Sequence, residues 1–227
     1  MKVTALIVAG GSGTRMGNEK NKVFLPLLGK AIIERTLEVF FSSNYIDDII
    51  IVTRAEDFNE CMNLFSDREK PVKVVKGGKT RQESVYNGLK ESDCDIVVIH
   101  DAARPLITKE VMEKSILSCK ENGASAVGVS CVDTLKRADI DGFITETLDR
   151  ENVYRIQTPQ TFYLKDIKSA HICAINDNFI TTDDCALYEK YIGRIKIVPG
   201  NETNIKITFP SDILFAEAIL KGNGDIL

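Results

Sequence analysis

Residues 2–28 read KVTALIVAGGSGTRMGNEKNKVFLPLL, and the opening half of this stretch decides the architecture. Val3, Leu6, Ile7 and Val8 form a short apolar run with β-branched side chains, the composition of a buried strand. Ala9 to Gly13 then stop it in small residues. Gly10, Gly11 and Gly13 carry no Cβ, so a ligand can approach the backbone, and successive N–H groups in such a turn form a concavity suited to an anion. Arg15, Lys20 and Lys22 follow at once. A planar guanidinium and mobile ammonium groups beside free amides suit a polyphosphate, which points to a nucleoside triphosphate.

Two familiar glycine loops are excluded by spacing. Gly11-Ser12-Gly13-Thr14-Arg15-Met16 has methionine where the dinucleotide fingerprint needs its third glycine, and no Gly-Lys-Ser/Thr follows at P-loop spacing. A plain tight turn is the remaining alternative, and the trailing cations weigh against it.

The chain of 227 residues is long enough to bury a substantial core as one domain. Hydrophobic residues at 44% and charged residues at 27% describe a soluble globular protein, and a net charge of −4 argues against nucleic-acid or membrane-surface partners, which need a basic face. No apolar run reaches the roughly 20 residues of a membrane span, and the amino terminus has no signal-peptide pattern, so the cytoplasm is the expected compartment. Cys61, Cys94, Cys119, Cys131, Cys173 and Cys185 are scattered and never form Cys-x-x-Cys, which reads as reduced, packed thiols. His171 is expected on a helix surface, and His100 has a structural reading without chemistry.

Outward from the first loop, helical spacing over 31–41 and an apolar run at 46–52 complete a βαβ unit. Helices are predicted over 57–65, 81–89, 108–121, 164–175, 183–191 and 211–220, with Thr181 to Asp184 and Ser211 as cap signals, and strands at 71–75, 95–100, 124–130 and 194–198. The alternation predicts a mainly parallel α/β sheet with helices on both faces and ligands at the carboxyl ends of the strands. Residues 132–162 differ, with Asp141-Gly142 as a hairpin turn flanked by mixed polar and β-branched runs. They read as a projecting β-hairpin arm on a single domain of residues 1–227. Either a second copy of the chain or the arm's own sheet would cover its half-apolar faces.

Asp101, in His100-Asp101-Ala102-Ala103-Arg104-Pro105, directly follows a predicted strand. Its carboxylate is suited to a Mg²⁺ shared with phosphates, and equally to capping the next helix or pairing with Arg104. Gly77 to Ser84 form a second glycine turn opening a helix, whose backbone and Ser84 suit an anion or a base edge.

Together AGGSGTRMG, Lys22, GGKTRQESVYNGL, HDAARP, VDTLKR, LDR before QTPQTF, and GNETNIKITFP occur in an order that resembles the 2-C-methyl-D-erythritol 4-phosphate cytidylyltransferase family over nearly the whole chain. The resemblance implies a Rossmann-like nucleotidyltransferase fold, CTP and a polyol phosphate as substrates, Mg²⁺ or another divalent cation held by Asp101, and a homodimer through the arm. It puts the CTP phosphates on Ala9, Gly10, Gly11, Gly13, Arg15 and Lys22, and cytidine near Gly78, Ser84, Asp101 and Ala102. The acceptor falls near Arg104, Thr134, Arg150, Thr158 and Lys206, with Arg150 serving the partner's site and Arg15, Lys22 and Lys206 as the catalytic cations. Asn21-Lys22-Val23 stands where the family usually has Pro-Lys-Gln, and Ala-Gly-Gly where Ala-Ala-Gly is commoner. The second variant also occurs in ribitol 5-phosphate cytidylyltransferases, the nearest alternative. A nucleotide-binding module without transfer chemistry would need fewer converging cations.

Overall fold

Parallel strands covered on both faces are apolar at almost every position, and this chain supplies four such runs. A computed structural model describes residues 1–11, 21–66 and 68–222. The chain runs through β1 (Val3–Val8), a 3-10 turn (Lys22–Phe24), β2 (Pro26–Leu27), β3 (Lys30–Ala31), α1 (Ile32–Phe41), β4 (Asp48–Thr53) and α2 (Phe58–Leu64). Next come β5 (Val72–Lys76), α3 (Arg81–Lys90), β6 (Ile96–Asp101), α4 (Lys109–Asn122) and β7 (Ala124–Ser130). A hairpin of β8 (Leu135–Ala138) and β9 (Ile144–Leu148) precedes β10 (Tyr154–Tyr163), α5 (Leu164–Asn176), α6 (Asp184–Tyr191), β11 (Lys196–Pro199) and α7 (Pro210–Gly222).

Seven strands form one sheet in the order β11-β7-β10-β6-β1-β4-β5, with β10 antiparallel to both its neighbours and the other pairings parallel. Side-chain alternation divides the core into two layers. Ala5, Ile7, Ile49, Ile51 and Val98 meet Leu37 and Phe40 of α1 and Met112 and Ile116 of α4, while Leu6, Ile50, Val52, Val97 and Ile99 meet Val85 and Leu89 of α3 and Ile167 and Ala170 of α5. A third cluster of Leu27, Ile32, Leu106, Ile207 and Ala216 seats α7 and the segment before it against the body.

The arm is shorter than the sequence suggests. Only β8 and β9 form the hairpin, its turn closed by Asp139 Oδ1, which accepts from the Asp141 and Phe143 amides, and by Gly142 at φ +87°. Residues 154–162 belong instead to β10 inside the sheet, between β7 and β6, with Gln157, Thr158, Gln160, Thr161 and Phe162 buried. Their polar side chains are satisfied across elements: Gln160 donates to Asp183 Oδ2 at 3.0 Å and accepts from the Asp184 amide at 3.1 Å, and Thr161 Oγ1 lies 3.0 Å from Ser115 Oγ. Burial of such a strand therefore needs few apolar residues.

Two local readings also change. His171 is fully buried, not on a surface, because Ile167, Ala170, His171 and Ala174 make the inward stripe of α5. The start of α7 is held not by Ser211, the cap candidate from sequence, but by Asp212 Oδ2, which accepts from the Thr208 and Phe209 amides. Asp183 does cap α6, accepting from the Ala186 amide. All six cysteines are free thiols, and burial pushes Cys61 up to about 11.

Candidate active site

Register places the ends of four strands side by side, since Val8 pairs with both Val52 and Asp101, and Thr53 with Lys76. The ladders continue one residue past each end: the Ala9 amide donates to Val52 O at 2.7 Å, Ala102 to Val8 O at 3.0 Å and Gly77 to Thr53 O at 2.7 Å. The turns after β1, β5 and β6 thus leave the sheet from one edge, and a cavity of about 360 Å³ opens between them.

Of the residues singled out from sequence, Ala9, Gly10, Gly11, Lys22, Gly78, Ser84, Asp101 and Lys206 all border this cavity. Gly13 and Arg15, with Lys20, lie outside the described residues. Ala102 does not face the cavity. It is fully buried beneath, accepting from Thr36 Oγ1 at 2.8 Å, and Ala103 lines the wall in its place. Thr158 sits behind Asp101, its Oγ1 accepting from the Asp101 amide at 3.1 Å. Thr134 and Arg150 are exposed on the arm and do not line the cavity of their own chain, with Arg150 donating to Val132 O.

Asp101 is the charge centre of the site. Its side chain is 9% exposed, and Lys206 Nζ lies 2.7 Å, Arg81 Nε 3.5 Å and Arg104 Nε 3.9 Å from its oxygens. Burial works against its ionisation, but Arg81 and Lys206, with Arg104 behind them, outweigh it and hold the carboxyl well below the usual carboxylate range. The pairing with Arg104 anticipated from sequence is therefore present, as the weakest of three contacts. Lys206 arrives through its neighbour, because buried Ile207 donates its amide to Ala103 O at 2.8 Å.

Arg81 is the site residue that sequence reading passed over. Its Nη1 donates to Asp184 Oδ2 at 2.7 Å, and Asp184 Oδ1 meets His171 Nε2 at 3.2 Å, so a buried chain runs from α5 through α6 to the cavity. Burial opposes the charge on Asp184, yet Arg81 and His171 keep it below the carboxylate range. The only available signal was Arg81's place at the start of a glycine-opened helix. Asn204 was likewise unread; it donates to Gln157 Oε1 and Thr158 O, while its own carbonyl accepts from Arg104 at 2.7 Å.

His100 beneath the site is fully buried, its Nδ1 3.0 Å from Thr158 Oγ1 and its Nε2 3.2 Å from Arg104 O. The carbonyl fixes the proton on Nε2, and the Thr158 hydroxyl then donates to Nδ1 while accepting from the Asp101 amide. Burial pushes this imidazole down to about 4, so it stays neutral.

The second glycine turn is sterically defined. A Cβ on Gly78 would meet Glu83 Cβ at 2.4 Å, whereas one on Gly10 would, among the described residues, touch only Ser84 Oγ, at 3.6 Å. Ser84 Oγ accepts from the Gly78 amide at 3.0 Å and Glu83 Oε2 from that of Lys79 at 2.8 Å, which ties the turn onto α3. Lys22, Lys79, Arg81 and Lys206 border the cavity against one carboxylate, Asp101, among the described residues. Such a balance suits a polyanion.

The model of the 2-C-methyl-D-erythritol 4-phosphate cytidylyltransferase family (IspD) matches residues 3–222. The chain is 43% identical over 226 residues to the 2-C-methyl-D-erythritol 4-phosphate cytidylyltransferase of Caldanaerobacter subterraneus, covering 97% of this chain and 100% of that protein. It is 41% identical to the enzyme of that name from Clostridium novyi, with 97% of each covered. Among solved structures it resembles the 4-diphosphocytidyl-2C-methyl-D-erythritol synthase of Anaerococcus prevotii, with TM-score 0.87, 33% identity, and 97% and 96% of the two chains covered.

Proposed function

Because the chain belongs to the 2-C-methyl-D-erythritol 4-phosphate cytidylyltransferase family, we propose that the cavity at the carboxyl ends of β1, β4, β5 and β6 is where its two substrates react. The protein is a nucleotidyltransferase that moves CMP from CTP to 2-C-methyl-D-erythritol 4-phosphate, in isoprenoid precursor synthesis. The observation that carries this placement is buried Asp101, ringed by Lys206, Arg81 and Arg104 beside the first glycine turn.

The chemistry follows from charge. A phosphate monoester with a second pKa of about 6 is largely dianionic at neutral pH, so its oxygen attacks the α-phosphorus of CTP without a general base. The new P–O bond forms as the bond to pyrophosphate breaks. The barrier lies in joining two polyanions and building negative charge on the α-phosphate, which positioned cations offset. We assign that work to Arg15, Lys22 and Lys206. The backbone from Ala9 to Gly13 serves the triphosphate, and Gly78, Ser84, Asp101 and, in place of buried Ala102, Ala103 border the nucleoside. Arg104, Thr134 and Arg150 serve the acceptor, the last two reaching over from the arm of a second subunit, while Thr158 supports the site from behind through the Asp101 amide.

A divalent cation fits this donor set. No group of three or more His, Cys, Asp or Glu side chains gathers among the described residues, but a hard cation such as Mg²⁺ needs only one or two carboxylates when substrate phosphates complete its shell. Asp101 is the residue that would hold it, and when bound it supplies charge screening between phosphates. No described helix is long and apolar enough to cross a membrane, and we assign the enzyme to the cytoplasm.

Incubation with CTP, Mg²⁺ and either acceptor, following pyrophosphate release, tests the reading. Methylerythritol phosphate is expected to have the higher kcat/KM by at least about 100-fold over ribitol 5-phosphate, the upper end of what one methyl group contributes. Equal or faster turnover of ribitol 5-phosphate under limiting CTP reverses the acceptor, and no pyrophosphate with either overturns the activity.

A further inference from the structure

Lys22 opens a turn of only three residues, whose Val23 and Phe24 are buried in the core while Lys22 itself borders the cavity. The residue before it supplies a polar restraint on the cavity side. Asn21 is fully buried at the cavity wall, and its side chain makes three hydrogen bonds to three separate pieces of chain. Nδ2 donates to Ala9 O at 2.8 Å and to Asp57 Oδ2 at 2.8 Å, and Oδ1 accepts from the Val23 amide at 3.3 Å. The carboxamide orientation follows from its partners, since a carbonyl and a carboxylate both demand a donor while the amide demands an acceptor. Asp57 is itself fixed by a bidentate pair with Arg54, Nε to Oδ2 at 2.6 Å and Nη2 to Oδ1 at 2.9 Å. Arg54 directly follows β4 and Ala9 directly follows β1, so both anchors sit on neighbouring strands of the sheet.

We propose that Asn21 is a positioning residue that fastens the Lys22 turn to the ends of β1 and β4 through Ala9 and the Asp57–Arg54 pair, and thereby sets where the Lys22 ammonium meets the reacting phosphates. This rests on the reading of Lys22 as a catalytic cation. The work is asymmetric: the two donations reach outward to the sheet, and the one acceptance merely shapes the turn. The isosteric change Asn21→Asp would present oxygen to both the Ala9 carbonyl and the Asp57 carboxylate, turning two attractions into repulsions. A cation displaced by about 1 Å from developing charge can cost on the order of 100-fold in rate, whereas ground-state binding through many other contacts suffers less.

The test is a kinetic cycle on the full-length enzyme with CTP, Mg²⁺ and methylerythritol phosphate, with melting temperatures measured in parallel. Asn21→Ala should lower kcat by about 10-fold or more while KM for CTP moves by less than about threefold, and Asn21→Asp should be slower still. In a Lys22→Ala background, Asn21→Ala should add less than about a twofold further loss, because groups that act as a unit are not additive. Wild-type kcat in Asn21→Asp, or losses that multiply in the double variant, overturn the proposal. A purely structural asparagine would lower the melting temperature alike in both backgrounds and leave the cycle additive. If Asn21→Ala does not fold, Asn21→Ser keeps an acceptor for the Val23 amide, loses at least one donation, and is read in the same cycle. Wild-type turnover of Lys22→Ala itself would refute the role of Lys22 instead, an outcome separable from additivity.

Discussion

The burial of His100 gives one residue a measurable pH signature. Its folded pKa, depressed by burial to about 4, lies below the unfolded value of 6.5, so between these limits the unfolded chain binds more protons. Stability is then complete above pH 6.5 and falls as the pH drops towards 4, by about 3 kcal/mol for a shift of this size. Urea unfolding across that range measures it; a flat profile from about pH 7 to 4 contradicts the buried neutral imidazole. Asp101, also depressed, adds a second loss only below its unfolded pKa of about 4. A second prediction at this scale separates two glycines. Gly10→Ala should change stability by no more than about 0.5 kcal/mol, because the new methyl makes ordinary contact with Ser84. Gly78→Ala should cost about 1–3 kcal/mol and raise KM for CTP, because Glu83 must move. Chemical denaturation and CTP titration of the two variants distinguish them, and the first result bears on why either Gly or Ala can stand at position 10.

Between elements, the longest polar connection is the one from α5 to the cavity through His171, Asp184 and Arg81. Asp184 is 1% exposed and Arg81 26%, so removing the carboxylate leaves a half-buried guanidinium without its shortest partner. Asp184→Ala should cost about 1–3 kcal/mol, less than the loss of one member of a fully buried pair, because Arg81 keeps solvent and Asp101. KM for CTP should rise as well, since Arg81 lines the cavity. Unchanged denaturation would show that the contact between α6 and α3 is carried by packing alone. Little of this connection was legible beforehand. Asp184 reads from sequence as a first-turn acid and His171 as a surface residue, because a helix period marks apolar stripes but does not reveal a polar side chain whose partner lies on another element.

For the molecule as a whole, the arm is the outstanding feature. Ile140, Phe143, Ile144 and Val132 are between 66% and 100% exposed, so the hairpin presents apolar side chains that its own chain leaves uncovered. If a second subunit covers them and receives Arg150, two inactive variants should complement. Arg150→Ala chains unfolded and refolded with Lys22→Ala chains should recover up to about a quarter of wild-type activity, one intact site in each of the half of dimers that are mixed. No recovery, or a monomer in sedimentation at micromolar concentration, counts against an arm-exchanged dimer.

The sequence by itself determined the sheet and the phosphate chemistry. Runs such as Leu6-Ile7-Val8 and Ile49-Ile50-Ile51 are apolar on both faces and alternate with helical spacing, which leaves few arrangements other than a parallel sheet between two helical layers. The glycine turns and the residues Lys22, Ser84 and Asp101 were legible because local backbone needs and charge are written locally, whereas Lys206 was singled out only by the family resemblance. Only the tertiary structure decided that residues 154–162 enter the sheet between β7 and β6, that Arg81 rather than Arg104 is Asp101's nearer guanidinium, and that Asn21 ties the Lys22 turn to the ends of two strands. The physical reason is common to all three. Each depends on a buried polar group whose cost is offset by a partner far away in the chain, and hydrophobic periodicity carries no record of such pairings.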